Sequence, residues 1–124
     1  MKLITAMIRP DMCQAVKDAL KREGQNGMTM TQVHGRGTQA GLRFTTRVGD
    51  ILVDEIEKTR VDVVVEDDSA VRRLADAIAE AAYTGHNGDG IIMVTPIETF
   101  VRIREMGDAK RSGEGKEPSR PTDN

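Results

Sequence analysis

At 124 residues the chain has room for one domain with one core, and a core of that size needs no disulfide or metal staple. Eighteen basic and 20 acidic side chains leave a net charge of −2, a balance that argues against nucleic acid or an anionic membrane as the principal partner. With no Trp, one Tyr and two Phe the core must be aliphatic, so base stacking on aromatic platforms is not the expected function. Cys13 is the only cysteine and has no internal disulfide partner. Neither a charged-then-apolar leader nor a long apolar run is present, so the expected compartment is the reducing cytosol.

In chain order, Lys2 to Arg9 is apolar and extended, and Pro10 ends it; Asp11 is placed to cap the first helix. In that helix Met12, Val16 and Leu20 recur every four residues, Ala15 and Ala19 widen the stripe, and Gly24 closes it. Met28 to His34 carries β-branched Thr29, Thr31 and Val33 on one period-two face, the pattern of a second strand. From Gly35 to Glu57 the apolar rhythm fails and glycines and arginines are scattered. This stretch reads as a long loop, hence a candidate interaction arm, with a long β-hairpin through Ile51 to Val53 as the alternative.

Thr59 to Glu66 alternates and then becomes a valine run, a strand with both faces partly covered. Asp67, Asp68 and Ser69 supply caps, and Val71, Leu74, Ala75, Ile78 and Ala82 stripe the second helix. Its last turn runs into Thr84-Gly85-His86-Asn87-Gly88-Asp89-Gly90. Glycines allow positive φ and close approach of backbone N–H groups, so this loop is either a phosphate cradle or a tight helix-to-strand turn. Ile91 to Val94 is the last strand, closed by Pro96. Val101-Arg102-Ile103-Arg104 alternates as a short extended arm would, and from Gly107 the chain is polar and expected to be disordered.

The order β-α-β, arm, β-α-β predicts an α+β fold of ferredoxin-like, split βαβ type: an antiparallel sheet with helices on one face. Met7, Ile8 and the valines from Val61 to Val65 place apolar side chains on both faces of the central strands, which calls for a partner subunit.

Several pieces together resemble the PII signalling proteins, trimeric nitrogen-status regulators: Arg9-Pro10, Gly27-Met28-Thr29, Gly35-Arg36-Gly37-Thr38-Gln39, Lys58, Thr84-Gly85 with Gly88-Asp89-Gly90, and Arg102-Ile103-Arg104. The resemblance spans residues 1–106. It implies a T-loop at about residues 37–57, a B-loop at about 84–90 and a C-loop at about 97–106, with residues 107–124 as the disordered tail. It further implies a cytoplasmic homotrimer that binds ATP or ADP between subunits and controls a membrane transporter or a metabolic enzyme through the T-loop.

On that resemblance Met28, Thr29, Gly35, Gly37, Asp62 and Val64 surround base and ribose. Thr38, Gly88, Asp89 and Gly90 serve the phosphates, and Arg102 and Arg104 add charge from the neighbouring subunit. Gln39 would hold Mg²⁺ and Lys58 would face a carboxylate of 2-oxoglutarate, while Arg43, Arg47 and Ile51 would meet the target.

The chain departs from the family where charge matters most. Ile91 stands where a phosphate-contacting lysine is usual, Thr38 where a basic residue is usual, and Ala40 where a lysine is usual. Each lost cation removes a charge-assisted hydrogen bond of roughly 1.5–3 kcal/mol, which points to a preference for ADP or AMP over ATP. Ile51 and Gly49 replace the usual modifiable tyrosine and serine, so modification there is impossible. Asp62 replaces the usual glutamate.

Two other classes are weaker. A divalent-metal-responsive protein of similar trimeric fold is poorly served by one cysteine and by His34 and His86 far apart. A small hydrolase or transferase finds no nucleophile-and-base spacing, so no catalytic residue is assigned.

Overall fold

The computed structural model describes residues 1–36, 42–46, 49–53 and 56–112, with 42–46 and 49–53 described through their backbone. Among the described residues six strands and three helices are arranged in the order β1 (Lys2–Ile8), α1 (Cys13–Arg22), β2 (Thr29–Gly35), β3 (Leu42–Thr46), β4 (Gly49–Val53), β5 (Ile56–Val65), α2 (Val71–Ala82), β6 (Gly90–Pro96) and α3 (Ile103–Ser112). Four strands form one sheet in the order β2-β5-β1-β6, antiparallel at every seam, as the sequence pattern predicted.

The core lies on one side of that sheet. Alternation sends Ile4, Ala6 and Ile8 of β1 and Val61, Val63 and Val65 of β5 to the same face, where they meet Val16 and Leu20 of α1 and Leu74, Ile78 and Ala82 of α2. All of these are buried, and the two helices pack on each other over the sheet. Pro10–Met12 forms a 3₁₀ turn that delivers the chain into α1, and Asp11 lies inside this turn without capping the helix through its side chain. At α2 the capping expectation holds one turn earlier: the Asp67 carboxylate accepts from the Ser69 N–H at 3.0 Å and hydroxyl at 2.8 Å, opening a 3₁₀ turn at Asp68–Ala70.

The opposite face is not covered by the helices. The register sets Arg60, Met7 and Ile91 in one row, Asp62, Thr5 and Met93 in the next, and Val64, Leu3 and Thr95 in the third. Ile91 is 58 % exposed and Met93 43 %. Within the second row the Thr5 hydroxyl donates to Asp62 at 2.7 Å, while Arg60 binds the other Asp62 oxygen at 2.9 Å.

Two expectations are corrected. The arm is not a structureless loop, because β3 and β4 pair antiparallel as a hairpin with Phe44 opposite Ile51. Its apolar residues alternate too briefly to announce two strands, and only Ile51 to Val53 hinted at one. The C-terminal segment is not an extended arm leading into disorder from Gly107: α3 begins at Ile103 and runs to Ser112. It lacks a continuous apolar stripe but is rich in good helix formers, with Lys110 and Arg111 in its last turn complementing the helix dipole.

Gly90 shows how tightly β6 is laid on β1. Its φ is +111°, and a Cβ at this position would collide with the Met7 carbonyl. Gly24 also has positive φ, at +82°, but nothing lies within 4 Å of the position a Cβ would take. Gly90→Ala is expected to cost about 2–4 kcal/mol and Gly24→Ala about 1 kcal/mol, read as falls in the urea midpoint. Equal losses at the two positions would contradict the packing described.

Candidate functional site

Residues 84–90 leave α2 at Tyr83, whose φ of −70° and ψ of 127° break the helix. The loop then folds around one carboxylate. Asp89 accepts the Thr84 N–H at 2.8 Å and the Gly85 N–H at 3.0 Å on one oxygen, and the Thr84 hydroxyl and Arg9 Nε, the latter at 3.0 Å, on the other. The Thr84 hydroxyl in turn accepts the His86 N–H at 3.2 Å. Gly85 and Gly88 take φ of +84° and +94°, which lets the chain reverse twice in five residues.

Two cations close the other side of the loop. Arg9 donates through Nη2 to the Asn87 carbonyl, and the Lys58 ammonium donates to the Gly88 carbonyl. A Cβ at Gly88 would lie in ordinary contact with Arg9 Nη2 and Lys58 Nζ, so it is the φ of +94°, not lack of space, that calls for glycine. These residues meet because the strand register continues by one step: Lys58, Arg9 and Asp89 form a last row across β5, β1 and β6 on the open face. The row begins beside Ile91.

The electrostatics reflect these contacts. The Thr84 hydroxyl, then the Thr84 N–H, Arg9 and the Gly85 N–H hold the Asp89 carboxyl well below the ordinary carboxylate range. Burial, then the Arg9 charge, push the Lys58 ammonium below its usual value, with Asp89 opposing them.

The other candidate residues gather at the opposite end of the sheet. Met28, Thr29, Asp62, Val64 and Arg102 line an open cleft of about 790 Å³, bounded also by the α1–β2 loop and the start of α2. Arg102 stands over the Phe100 ring at 5.1 Å and binds Glu66 at 3.4 Å. Asp62 and Lys58 are four residues apart on β5, roughly 13 Å along a strand, so the glycine loop and the cleft are separate places in one chain.

The predicted site residues are thus divided. Gly88, Asp89, Gly90 and Lys58 come together at the loop, and Gly35, opposite Ile56, ends β2 nearer to it than to the cleft. Arg104 lies in the first turn of α3 and is exposed, so it does not share one extended face with Arg102. The Asp89 carboxylate, assigned to phosphate, is occupied within the loop, and Lys58, assigned to a carboxylate ligand, donates to the Gly88 carbonyl. Gly37, Thr38, Gln39 and Arg47 lie outside the described residues; Arg43 and Ile51 lie in β3 and β4, described by backbone alone.

Sequence reading missed Arg9 as a site residue. Its signal was the alternation of the first strand, which puts residue 9 on the face of Leu3, Thr5 and Met7 and not in the core. Among the described residues no group of three or more His, Cys, Asp or Glu side chains is gathered to hold a metal ion, and no helix is long and apolar enough to cross a membrane.

The sequence matches the family Nitrogen regulatory protein P-II over residues 1–106. It is 39 % identical over 112 residues to Nitrogen regulatory protein P-II 2 of Methanothermobacter thermautotrophicus, covering 90 % of this chain and 96 % of that protein. It is 45 % identical over 112 residues to Nitrogen regulatory protein P-II of Azospirillum brasilense, covering 88 % and 99 %. Nitrogen regulatory protein GlnK2 of Haloferax mediterranei is 43 % identical over 103 residues, 83 % of each chain. These matches define the class as signal-transduction regulators. The chain belongs to the P-II family of nitrogen regulatory proteins.

The depressed Asp89 pKa has a definite sign. A carboxylate held below its unfolded-state value contributes stability that is fully present above about pH 4 and is lost as pH falls further. Urea midpoints at about pH 6 and about pH 3 are therefore expected to differ more for the native chain than for Asp89→Asn. Identical acid dependence in the two would contradict the clasp.

Proposed function

We propose that this chain is a non-catalytic, cytoplasmic regulator that binds an adenine nucleotide, ADP or ATP, between subunits of a homotrimer and signals through its 37–57 arm. The observation that carries the reading is the division of the site. A glycine loop with two cations lies at one end of an open sheet face, and a cleft of about 790 Å³ lies at the other, roughly 13 Å away. A neighbouring copy laid on that face would bring its own loop to this chain's cleft and cover Met7, Ile91 and Met93.

The residues present fit such a ligand. The cleft is of the size that holds small molecules, and Met28, Thr29, Val64 and Arg102 offer it apolar and hydrogen-bonding surface. The loop offers backbone N–H groups and nearby positive charge to phosphate. Mg²⁺ and 2-oxoglutarate belong to the same proposal, with Gln39 as the metal's amide ligand and Lys58 leaving the Gly88 carbonyl to face the carboxylate.

Signalling is then linkage. β5 starts at Ile56, within the end of the arm, and Lys58 is its third residue, so a ligand that changes the loop's hold on Lys58 changes the base of the arm. Its effect on arm populations equals its differential affinity for the arm's states. Arg43, Arg47 and Ile51 would present the arm to a membrane transporter or a metabolic enzyme; nucleic acid is not the proposed partner.

Calorimetric titration with ATP, ADP and AMP tests the reading. Binding of at least one is expected, with ADP or AMP above ATP. Restoring a cation beside the last row through Ile91→Lys is expected to strengthen ATP binding roughly tenfold to a hundredfold. Absence of binding by all three nucleotides would contradict the proposal.

A further inference from the structure

We infer that Phe100 is a stacking residue of the cleft: its ring, steadied by Arg102, takes the purine of the bound nucleotide against its face. The inference rests on the nucleotide reading above and specifies what holds the base, the part of the ligand that carries no charge. Phe100 is the one aromatic residue among those that line the cleft, in a chain with one other phenylalanine and no tryptophan. The Arg102 guanidinium stands over the ring at 5.1 Å from its centroid, and Phe100 is still 39 % exposed.

The ring is held from both sides along the chain. Ahead of it, the Ile97 N–H donates to the Met1 carbonyl at 3.2 Å and ties the segment to the start of β1. Behind it, Arg102 donates to Glu66, which directly follows β5, at 3.4 Å. A guanidinium over an aromatic face is an attractive contact that fixes the plane of the ring. A flat apolar ring with two side-chain torsions, fixed at the wall of a cleft, offers a base contact area at little entropic cost.

Another wall of the cleft is equally set. The Gly24 N–H donates to the Lys21 carbonyl at 3.0 Å and the Gln25 N–H to the Leu20 carbonyl at 2.9 Å, which closes the end of α1. Arg73 then reaches across from α2 to the Glu23 carbonyl at 3.0 Å and to its carboxylate at 2.7 Å. The loop so held carries Met28, which packs against the core and lines the cleft. A base entering the cleft meets an aromatic ring and a polarizable thioether, both placed by the fold. Stacking needs only a π-face, and the two-ring purine presents more of one than a pyrimidine does.

The test titrates the full chain, native and as Phe100→Leu and Phe100→Tyr, with ADP, by calorimetry and by proton NMR of the adenine H2 and H8. In the native chain both protons are expected to move upfield under the ring current. Phe100→Leu is expected to lose that shift and to weaken ADP binding about tenfold, with its urea midpoint near the native value. Phe100→Tyr is expected to restore both shift and affinity.

Weaker binding by Phe100→Leu with the upfield shift retained would make the ring a mere prop for Arg102 and overturn the inference. An affinity unchanged in Phe100→Leu would also overturn it. ADP bound by the native chain without an upfield shift would overturn it and leave the nucleotide reading standing, a result that decides even if Phe100→Leu fails to fold. No ADP binding by the native chain would overturn both.

Discussion

The carboxylate of Asp89 is the point on which the candidate site turns. Four donors converge on it, from Thr84, Gly85 and Arg9, and without an acceptor there the loop would have no reason to close. Because Arg9 directly follows β1 and Lys58 lies on β5, the clasp also ties the loop to two central strands. The steric demand at Gly90 is part of the same arrangement: β6 must approach the Met7 carbonyl for Asp89 to reach Arg9. A loop held this way is ordered before any ligand arrives, and preorganisation lowers the entropic cost of binding.

Much of this was legible in the chain because periodicity reports which face a residue occupies. The valines of β5 and the four-residue repeats of α1 and α2 announced the core, and with it the four-strand sheet and its helices. The hairpin of the arm was legible only as the alternative to a loop, through Ile51 to Val53, since a strand pair of five residues each leaves little apolar rhythm to read. Helix α3 was not legible, since it is built on helix propensity and end charges and hides no continuous stripe.

The site was half legible. Glycine spacing marked the loop, but which groups the Asp89 carboxylate would satisfy depended on long-range register, which brings residues 9, 58 and 89 into one row. Asp62 makes the same point. Its carboxylate is shared between Thr5 and Arg60 within the sheet, so it reaches the cleft already engaged. The cations nearest the loop are equally engaged, Arg9 with the Asn87 carbonyl and Lys58 with the Gly88 carbonyl.

The central claim is that one chain holds two half-sites and that only a second copy joins them. Its most direct measurement is complementation: Gly88→Val spoils the loop, Thr29→Glu spoils the cleft, and the two variants are refolded together. Each variant alone should bind no ADP, whereas a random mixture should regain binding in about a quarter of its clefts, those formed by one intact loop and one intact cleft. A mixture that binds no ADP, beside a native chain that does, would contradict the account.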